Sequence, residues 1–485
     1  SLMDPQHRVF IEASWAALEN AALPPKGGLA DTVVGVFAAA GIDGYLVHHL
    51  DGRPLKDTLD PQDIFLAEIG NEKDYIATRV AYLMDFTGPA MNVNSACSSA
   101  LVACAQGAAA IMAGQCDAAV AGASSITFPN LGYLYQDGLV SSMDGYVRPF
   151  DAAADGTVFG DSVASLILRR TDDVKAGLVW GSMKGFAVTN DGGQKAGYAA
   201  PSPMGQSNAV VGALRMMNDD PWSISYVEAH CTGTRVGDGI EARGLMDAFA
   251  RIGGKKGSDE VQVALGSVKG NIAHANCAAG ATGFIKTLMM LKSRELVPVA
   301  NFTMLNPKIN FSGTPFQVNN ELCAWDFGKK TLRAGVSSFG IGGTNAHVIL
   351  EQPPLPEEPK ADAPVARWAY QVVPLSAKSP LALKQNAERL SSALRKPSEG
   401  VPSMASTAFT LQTGRSALPL RQALVVSSGH ALDPEGIISR DLSQVANVLD
   451  KRFPDIEDLE ELPDATKRPS VAFVFPGQGS QHLGM

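Results

Sequence analysis

Charge is scarce in this chain. Only 18% of its 485 residues are Asp, Glu, Lys or Arg, and aromatics contribute 7%. Cysteine is sparse too, at Cys97, Cys104, Cys116, Cys231, Cys277 and Cys323. No two of them form a Cys-x-x-Cys pair, and none lies near histidines at zinc-finger spacing, so no metal site is expected. Six in so long a chain make no disulfide framework either, and reduced thiols in a cytoplasm are the expectation. Basic residues are outnumbered, 40 Lys and Arg against 49 Asp and Glu, for a net charge of −9. The general basic footprint of a nucleic-acid binder is therefore missing. Long apolar runs are missing as well. The stretch Phe86–Cys116 has no charged residue, but Asn, Ser, Gly, Ala and Gln fill it. It reads as a buried strand and helix rather than a membrane span, which should be predominantly apolar over about 20 residues. There is no P-loop, no Gly-x-Gly-x-x-Gly opening a helix and no His-Glu-x-x-His, so nucleotide and metalloprotease chemistry lack support.

What the chain has instead is small and apolar: 45% hydrophobic residues and 48 glycines. That blend suits close-packed α/β layers, and at roughly 150 residues per domain the length allows two to four units. From Asp4 to about Gln352, short β-rich runs alternate with Ala- and Gly-rich helical stretches. The predicted strands are Thr32–Phe37, Ala118–Ala121, Ser162–Leu168, Tyr226–Glu228, Val261–Leu265 and His347–Leu350. Helices are predicted over Arg8–Ala21, Ser99–Ala113, Ser207–Met217, Gly239–Phe249 and Ala279–Leu291. The run Pro353–Pro359 then breaks the composition and reads as a domain seam. Beyond it, strands Val372–Leu375 and Gln422–Ser427 flank an amphipathic helix, Pro380–Leu394. After the acidic stretch Pro454–Pro463, Val471–Phe475 reads as the first strand of a further domain.

Three places could carry chemistry. Cys97 stands where an extended run meets a helix start, among Ser95, Ser98 and Ser99. Amides at a helix N-terminus favour a thiolate and can receive an oxyanion. Most free cysteines, however, are merely small buried hydrophobes, and Cys104, Cys116, Cys277 and Cys323 read as core or surface residues. His230 ends a strand in the Gly- and Thr-rich turn Cys231–Thr234, and His274 follows Lys269 by five residues. A lone histidine in a turn is usually structural. Two histidines and a thiol, each at the mouth of a strand, form a better constellation, because ligands of open α/β sheets gather there. The turn Ser338–Asn345 carries three glycines and lets backbone approach a ligand closely, or is simply a tight turn. There is also a weak internal echo: Met91–Cys97 and Val263–His274 are both a strand and a reactive side chain leading into an Ala/Gly-rich helix.

Together these residues resemble the β-ketoacyl synthases of modular polyketide synthases. Asn94–Ala103 is similar to the nucleophile motif and Glu228–Thr234, continuing to Glu241, to the first histidine motif. Lys269–His274 with Ala278-Ala279-Gly280 resembles the second, Ser338–Val348 the closing glycine-rich loop, and Met3–Arg8 an early helix motif. Residues 3–352 are covered by these motifs in order. Leu375–Ser379 and Leu411–Arg415 resemble the ketosynthase–acyltransferase linker, and Val471–Gln481 the first strand and turn of an acyltransferase. The implied organisation is a ketosynthase over 1–352, a small α/β linker domain over 353–469 and the start of an acyltransferase over 470–485.

The resemblance implies a thiolase-like fold of α-β-α-β-α layers with two pseudo-duplicated halves, in agreement with the echo. Set against that fold, Ser1–Pro5 looks like a cut edge, with the family's first strand expected ahead of it. It also implies decarboxylative Claisen condensation between an acyl group on Cys97 and a malonyl-type extender. His230 and His274 would be the enolate donors, and the backbone N–H groups of Cys97 and Ile341 the oxyanion hole. Lys269 would polarise around His274 with Glu241 as its carboxylate partner, a pair that could equally be structural. Thr232 and Thr234 would bind pantetheine, while Asp238, Phe339 and Asn345 would support the site. No cofactor is expected on the chain itself, since the 4′-phosphopantetheine is carried by an acyl carrier protein. That carrier, an adjacent acyltransferase domain and a second copy in a homodimer are the implied partners. Cys231 and Ala273 stand where the family usually has glycine, and Gly239 where it has proline. Phe159–Ser162 replaces an Arg-Gly-Glu-Gly-like run. The side chains of Cys231 and Ala273 are expected to narrow or shift the site. The alternatives are a thiolase or chalcone-synthase-like enzyme, which would use other residue sets, and an impaired ketosynthase serving as a dimerisation or gating scaffold.

Overall fold

The computed structural model describes residues 2–25, 32–50, 60–174, 178–193, 195–252, 263–326, 331–354, 370–395, 404–427, 437–438 and 449. The chain divides into two units near Ala361, and the larger contains all the candidate reactive residues. Its first half runs α1 (Pro5–Asn20), β1 (Val34–Ala40), α2 (Pro61–Asn71), α3 (Tyr75–Met84), β2 (Ala90–Asn92), α4 (Ser99–Met112), β3 (Ala118–Ser125) and β4 (Ser162–Arg169). Its second half runs β5 (Ser182–Asn190), α5 (Pro203–Met217), β6 (Ile224–Glu228), α6 (Gly237–Ile252), β7 (Val263–Gly266), α7 (Lys269–Ile272) and α8 (Ala279–Ser293). It closes with β8 (Phe316–Val318), β9 (Arg333–Phe339) and β10 (Thr344–Glu351). Several helices begin where an acceptor side chain precedes proline. Asp4 and Ser202 cap α1 and α5, accepting from Gln6 N and Gly205 N, with Pro5 and Pro203 next.

The two halves repeat one another. The first sheet has the order β2-β1-β3-β4, with β2, β1 and β3 parallel and β4 antiparallel. The second contains β7-β6-β9-β10 with the same senses, flanked by β8 beyond β7 and by β5 beyond β10. Helices α1 and α3 cover one face of the first sheet; on the second, α5 packs against β5 and β10, and α6 buries Leu245 and Phe249 with Val227 and Leu265. Between the sheets lie α4 and α8, each touching both. The central layer is made of small residues, among them Ala39, Ala100, Ala123, Ala278, Ala279 and Ala281. Gly280 shows why: a Cβ there would lie 2.7 Å from Leu101 Cβ on α4. Larger apolar side chains fill the outer layers, Phe10, Val36 and Val80 on one side and Val227, Leu245 and Phe316 on the other. The region Phe86–Cys116 is β2 followed by α4, and no described helix is long and apolar enough to cross a membrane.

The smaller unit pairs β11 (Tyr370–Ala377) with antiparallel β12 (Leu420–Ser427), and β13 (Ile437–Ile438) lies parallel to β12. Helices α9 (Pro380–Arg395) and α10 (Met404–Thr413) bury Leu383, Ala387, Met404 and Ala408 with Val373 and Leu424. The sequence-predicted strand Val471–Phe475 and the stretch Pro454–Pro463 lie outside the described residues.

Candidate active site

The repeat places a reactive group at equivalent positions of both halves. Cys97 follows β2 and precedes α4, while His274 follows β7 and precedes α8. His230 lies two residues beyond the end of β6. All three line one cavity of about 710 Å³ together with Thr232, Thr234, Asp238, Glu241, Phe339, Ile341 and Asn345. Lys269 is buried behind them.

Cys97 is held in a sharp turn. Ala96 before it has φ +55°, Ser99 Oγ donates to Ala96 O at 2.6 Å, and Ser338 Oγ donates to Cys97 O at 2.9 Å. The backbone N–H groups of Ile341 and of Cys97 itself are directed at the sulfur, and the Lys269 charge also favours the thiolate. Burial nevertheless outweighs all three and pushes the thiol pKa up. This corrects the expectation of a thiol acidified by helix-start amides.

The two imidazoles meet nearly edge to face, centroids 5.4 Å apart at 83°. Asn276 N donates to His274 Nδ1 at 3.1 Å, so in the neutral ring the proton belongs on Nε2. Burial, then the Lys269 charge, pushes the His274 pKa down to about 3. Burial also drives His230 well down, aided by Lys269 and His274. Both rings are therefore neutral hydrogen-bond donors rather than cations. Phe339 packs on His230 at 5.8 Å and Phe159 on His274 at 5.5 Å.

The remaining residues hold the turns. Asp238 accepts from Phe150 N at 2.9 Å and Gly233 N at 3.1 Å. Thr232 and Thr234 face each other at 3.3 Å, and Thr234 Oγ1 accepts from Gly237 N. Asn345 Nδ2 donates to Asp191 Oδ1 at 2.7 Å and to Gly343 O at 3.1 Å. The closing turn needs its glycines: Gly342 and Gly343 have φ +100° and +97°, and a Cβ on Gly340 would overlap Ser95 O.

Three expectations change. Glu241 forms no ion pair within 4 Å with Lys269 among the described residues. Its carboxylate accepts from His230 N and Cys231 N, each at 2.7 Å, and burial pushes its pKa up to about 7. Cys231 does not narrow the site, because its side chain packs into the apolar core with Val227 and Leu245. Nor does Ala273, whose Cβ lies beside Gly160 outside the cavity wall. Cys277, expected from sequence to be a core or surface residue, is buried in the small-residue core and also borders the cavity. Its Sγ donates to Ser124 O, and burial raises its pKa to about 12. Phe159 was visible in the sequence only as a departure from a motif, and Asp191 carried no signal.

The comparisons with known proteins agree with this geometry. Residues 1–174 match the family of β-ketoacyl synthase N-terminal domains, and residues 180–303 the β-ketoacyl synthase C-terminal domains. Residues 306–425 match the ketoacyl-synthetase C-terminal extension. Among solved structures, ketosynthase twelve of the bacillaene polyketide synthase of Bacillus amyloliquefaciens has a TM-score of 0.78 at 32% identity, covering 93% of this chain and 74% of that one. The ketosynthase of module 1 of bacillaene synthase from the same species also reaches 0.78, at 28% identity, covering 95% and 77%. The chain belongs to the β-ketoacyl synthase family, with that family's layered, duplicated α/β fold. Its relatives place it among the ketosynthases of polyketide synthases. One is a phenolphthiocerol/phthiocerol polyketide synthase of Mycobacterium tuberculosis, 36% identical over 491 residues, covering 100% of this chain. Another is polyketide synthase PksN of Bacillus subtilis, 35% identical and covering 88% of this chain. The chain spans 32% of the length of the first and 8% of the second.

Proposed function

We propose that this chain performs decarboxylative Claisen condensation, an acyl transfer that forms a carbon–carbon bond. The observation that carries the reading is the convergence of Cys97, two neutral imidazoles and the Ile341 N–H on one cavity. Cys97 attacks the carbonyl of a carrier-bound acyl thioester, and the carrier thiol leaves with a proton. A malonyl-type thioester then enters, its carbonyl oxygen accepting hydrogen bonds from His230 and His274. As its carboxylate departs as carbon dioxide, the bonding pair becomes an enolate that these two donors stabilise. The enolate carbon attacks the acyl-Cys97 carbonyl, and the resulting oxyanion meets the N–H groups of Cys97 and Ile341. Collapse expels the Cys97 thiolate, which regains a proton, and leaves a 3-oxoacyl thioester on the carrier. Neutral rings suit this step, since a donor aimed at a developing negative charge needs no reorganisation.

The carrier's phosphopantetheine arm is part of the substrate in this reading. Thr232 and Thr234, both facing the cavity, would hydrogen-bond it. The partners are an acyl carrier protein and, as the working form, a second copy of this chain in a cytoplasmic homodimer. Residues 353–469 would be the linker to an acyltransferase beginning at 470–485. The scaffold alternative has no observation in its favour, because the reactive groups converge. Intact-mass measurement with a panel of acyl-thioester donors, followed by peptide mapping, tests the reading. One acyl group on Cys97 is expected, and loading confined to another cysteine would refute it.

A further inference from the structure

One buried carboxylate beside the site has no part in the chemistry above. Glu228 ends β6 two residues before His230 and is 2% exposed. Its Oε2 accepts from the Tyr226 hydroxyl at 2.5 Å and from Lys286 Nζ at 2.7 Å, and Lys286 Nζ also lies 3.0 Å from the Tyr226 oxygen. Its Oε1 accepts from Val268 N at 2.6 Å. Val268 immediately precedes Lys269, whose one-turn helix α7 leads to His274. A single side chain thus ties the end of β6, the Lys269 turn and the central helix α8 together. Helix α8 comes close enough for this because of Gly283, where a Cβ would lie 3.0 Å from Glu228 Cγ.

Burying an ion pair is costly compared with packing apolar residues in the same space, so its presence here calls for a reason. Lys269 supplies one. Burial disfavours its ammonium, and among the charges that oppose this, Glu228 from β6 acts most strongly. Glu241 from α6, Cys231 from the turn after β6 and Cys97 at the start of α4 follow. Lys269 is in turn the charge that, after burial, most disfavours a second proton on either imidazole.

We propose that Glu228, clamped by Lys286 and Tyr226, is a positioning residue for decarboxylation: it fixes the Lys269 turn and balances the Lys269 charge behind the two histidines. This rests on the reading of His230 and His274 as the enolate donors. Glu228 touches no substrate, so it should act on turnover and its pH dependence rather than on binding. Lys269 loses its proton more easily when the Glu228 charge is removed, and less easily when the counter-charge of Lys286 is removed.

The test is the pH profile of carbon dioxide release from a malonyl thioester by the full chain. Glu228→Gln keeps the Val268 acceptor and should lower kcat about tenfold, the scale of a lost charge-assisted contact, with KM unchanged. Its alkaline limb should move to lower pH. Lys286→Met should move that limb to higher pH, and Lys286→Arg should restore the wild-type profile. A merely structural role would not give opposite signs. Limbs that stay in place, or that move the same way in both variants, overturn the inference. Should Glu228→Gln fail to fold, the sign of the Lys286→Met shift decides alone. A wild-type chain that releases no carbon dioxide refutes the proposed function itself, and the inference with it.

Discussion

Replacing Ala273 with glycine should stabilise the larger unit, although alanine-to-glycine changes ordinarily do the reverse. Ala273 has φ +62° and ψ −168°, a region essentially reserved for glycine. The backbone there has little freedom to relax. Ala273 N donates to Lys269 O at 3.0 Å, His274 N to Val158 O at 2.7 Å, and Gly160 N to His274 O at 3.0 Å. Holding a residue with a Cβ in such a conformation costs about 1–3 kcal/mol. Glycine removes that strain but adds freedom to the unfolded chain worth about 0.4–1 kcal/mol. The balance is a gain of about 1 kcal/mol. Because the same hydrogen bonds hold the backbone in either case, His274 should keep its place and decarboxylation its rate. Urea unfolding followed by tryptophan fluorescence should show a higher midpoint with an unchanged slope. A lower midpoint, by the roughly 0.5–1 kcal/mol of an ordinary alanine-to-glycine change, would refute the reasoning.

Other expectations follow from the same geometry. His230→Ala should slow malonyl decarboxylation by roughly 10²–10³, the scale of a lost oxyanion donor, while acyl loading of Cys97 falls far less. Parallel loss of both steps, measured by carbon dioxide release and intact mass, would make His230 structural or the base for the thiol. With the His274 pKa pushed down to about 3, decarboxylation should show no inflection near the ordinary imidazole value of 6.5. A rate that falls below pH 6.5 with a single protonation, in the wild type and equally in Glu241→Gln, where the carboxyl pushed up to about 7 is gone, would contradict this. His274 and His347 both have pKa values lowered to about 3 by burial, so between about 3 and 6.5 the unfolded chain takes up two protons that these rings refuse in the fold, against the one that Glu241, raised to about 7, holds preferentially in the fold. Stability should then decline as pH falls through that window, and urea midpoints unchanged from pH 7 to 4 would count against it.

Much of this arrangement was legible in the sequence, and for identifiable reasons. The helices expected over Arg8–Ala21 and Ser207–Met217 are present, but they begin earlier, at Pro5 and Pro203, where Asp4 and Ser202 cap them ahead of a proline. The strand-to-reactive-residue-to-helix echo pointed to the repeat that now appears as equal sheet orders. What stayed hidden depends on contacts between distant residues or on side-chain direction. The spacing of Glu228 and Lys286, 58 residues apart, carries no periodic signal. Cys231 follows His230 directly, yet its side chain faces the core and not the cavity. The thiol of Cys97 lies near favourable amides, but the sequence does not reveal that it is half-buried in the cavity wall, and that loss of solvent decides the sign. At Ala273 the sequence showed a departure from glycine, while the strain lies in a backbone angle.

The central claim is that the Cys97 thiol holds one partner while the histidine pair activates the other. It is tested most directly by loading the chain with an acyl group, removing free donor and adding a malonyl carrier protein. The account predicts one 3-oxoacyl carrier and one carbon dioxide formed for each acyl group lost from Cys97, with no product from Cys97→Ala. Product formed by Cys97→Ala, or acyl groups lost from Cys97 only to water, would contradict it.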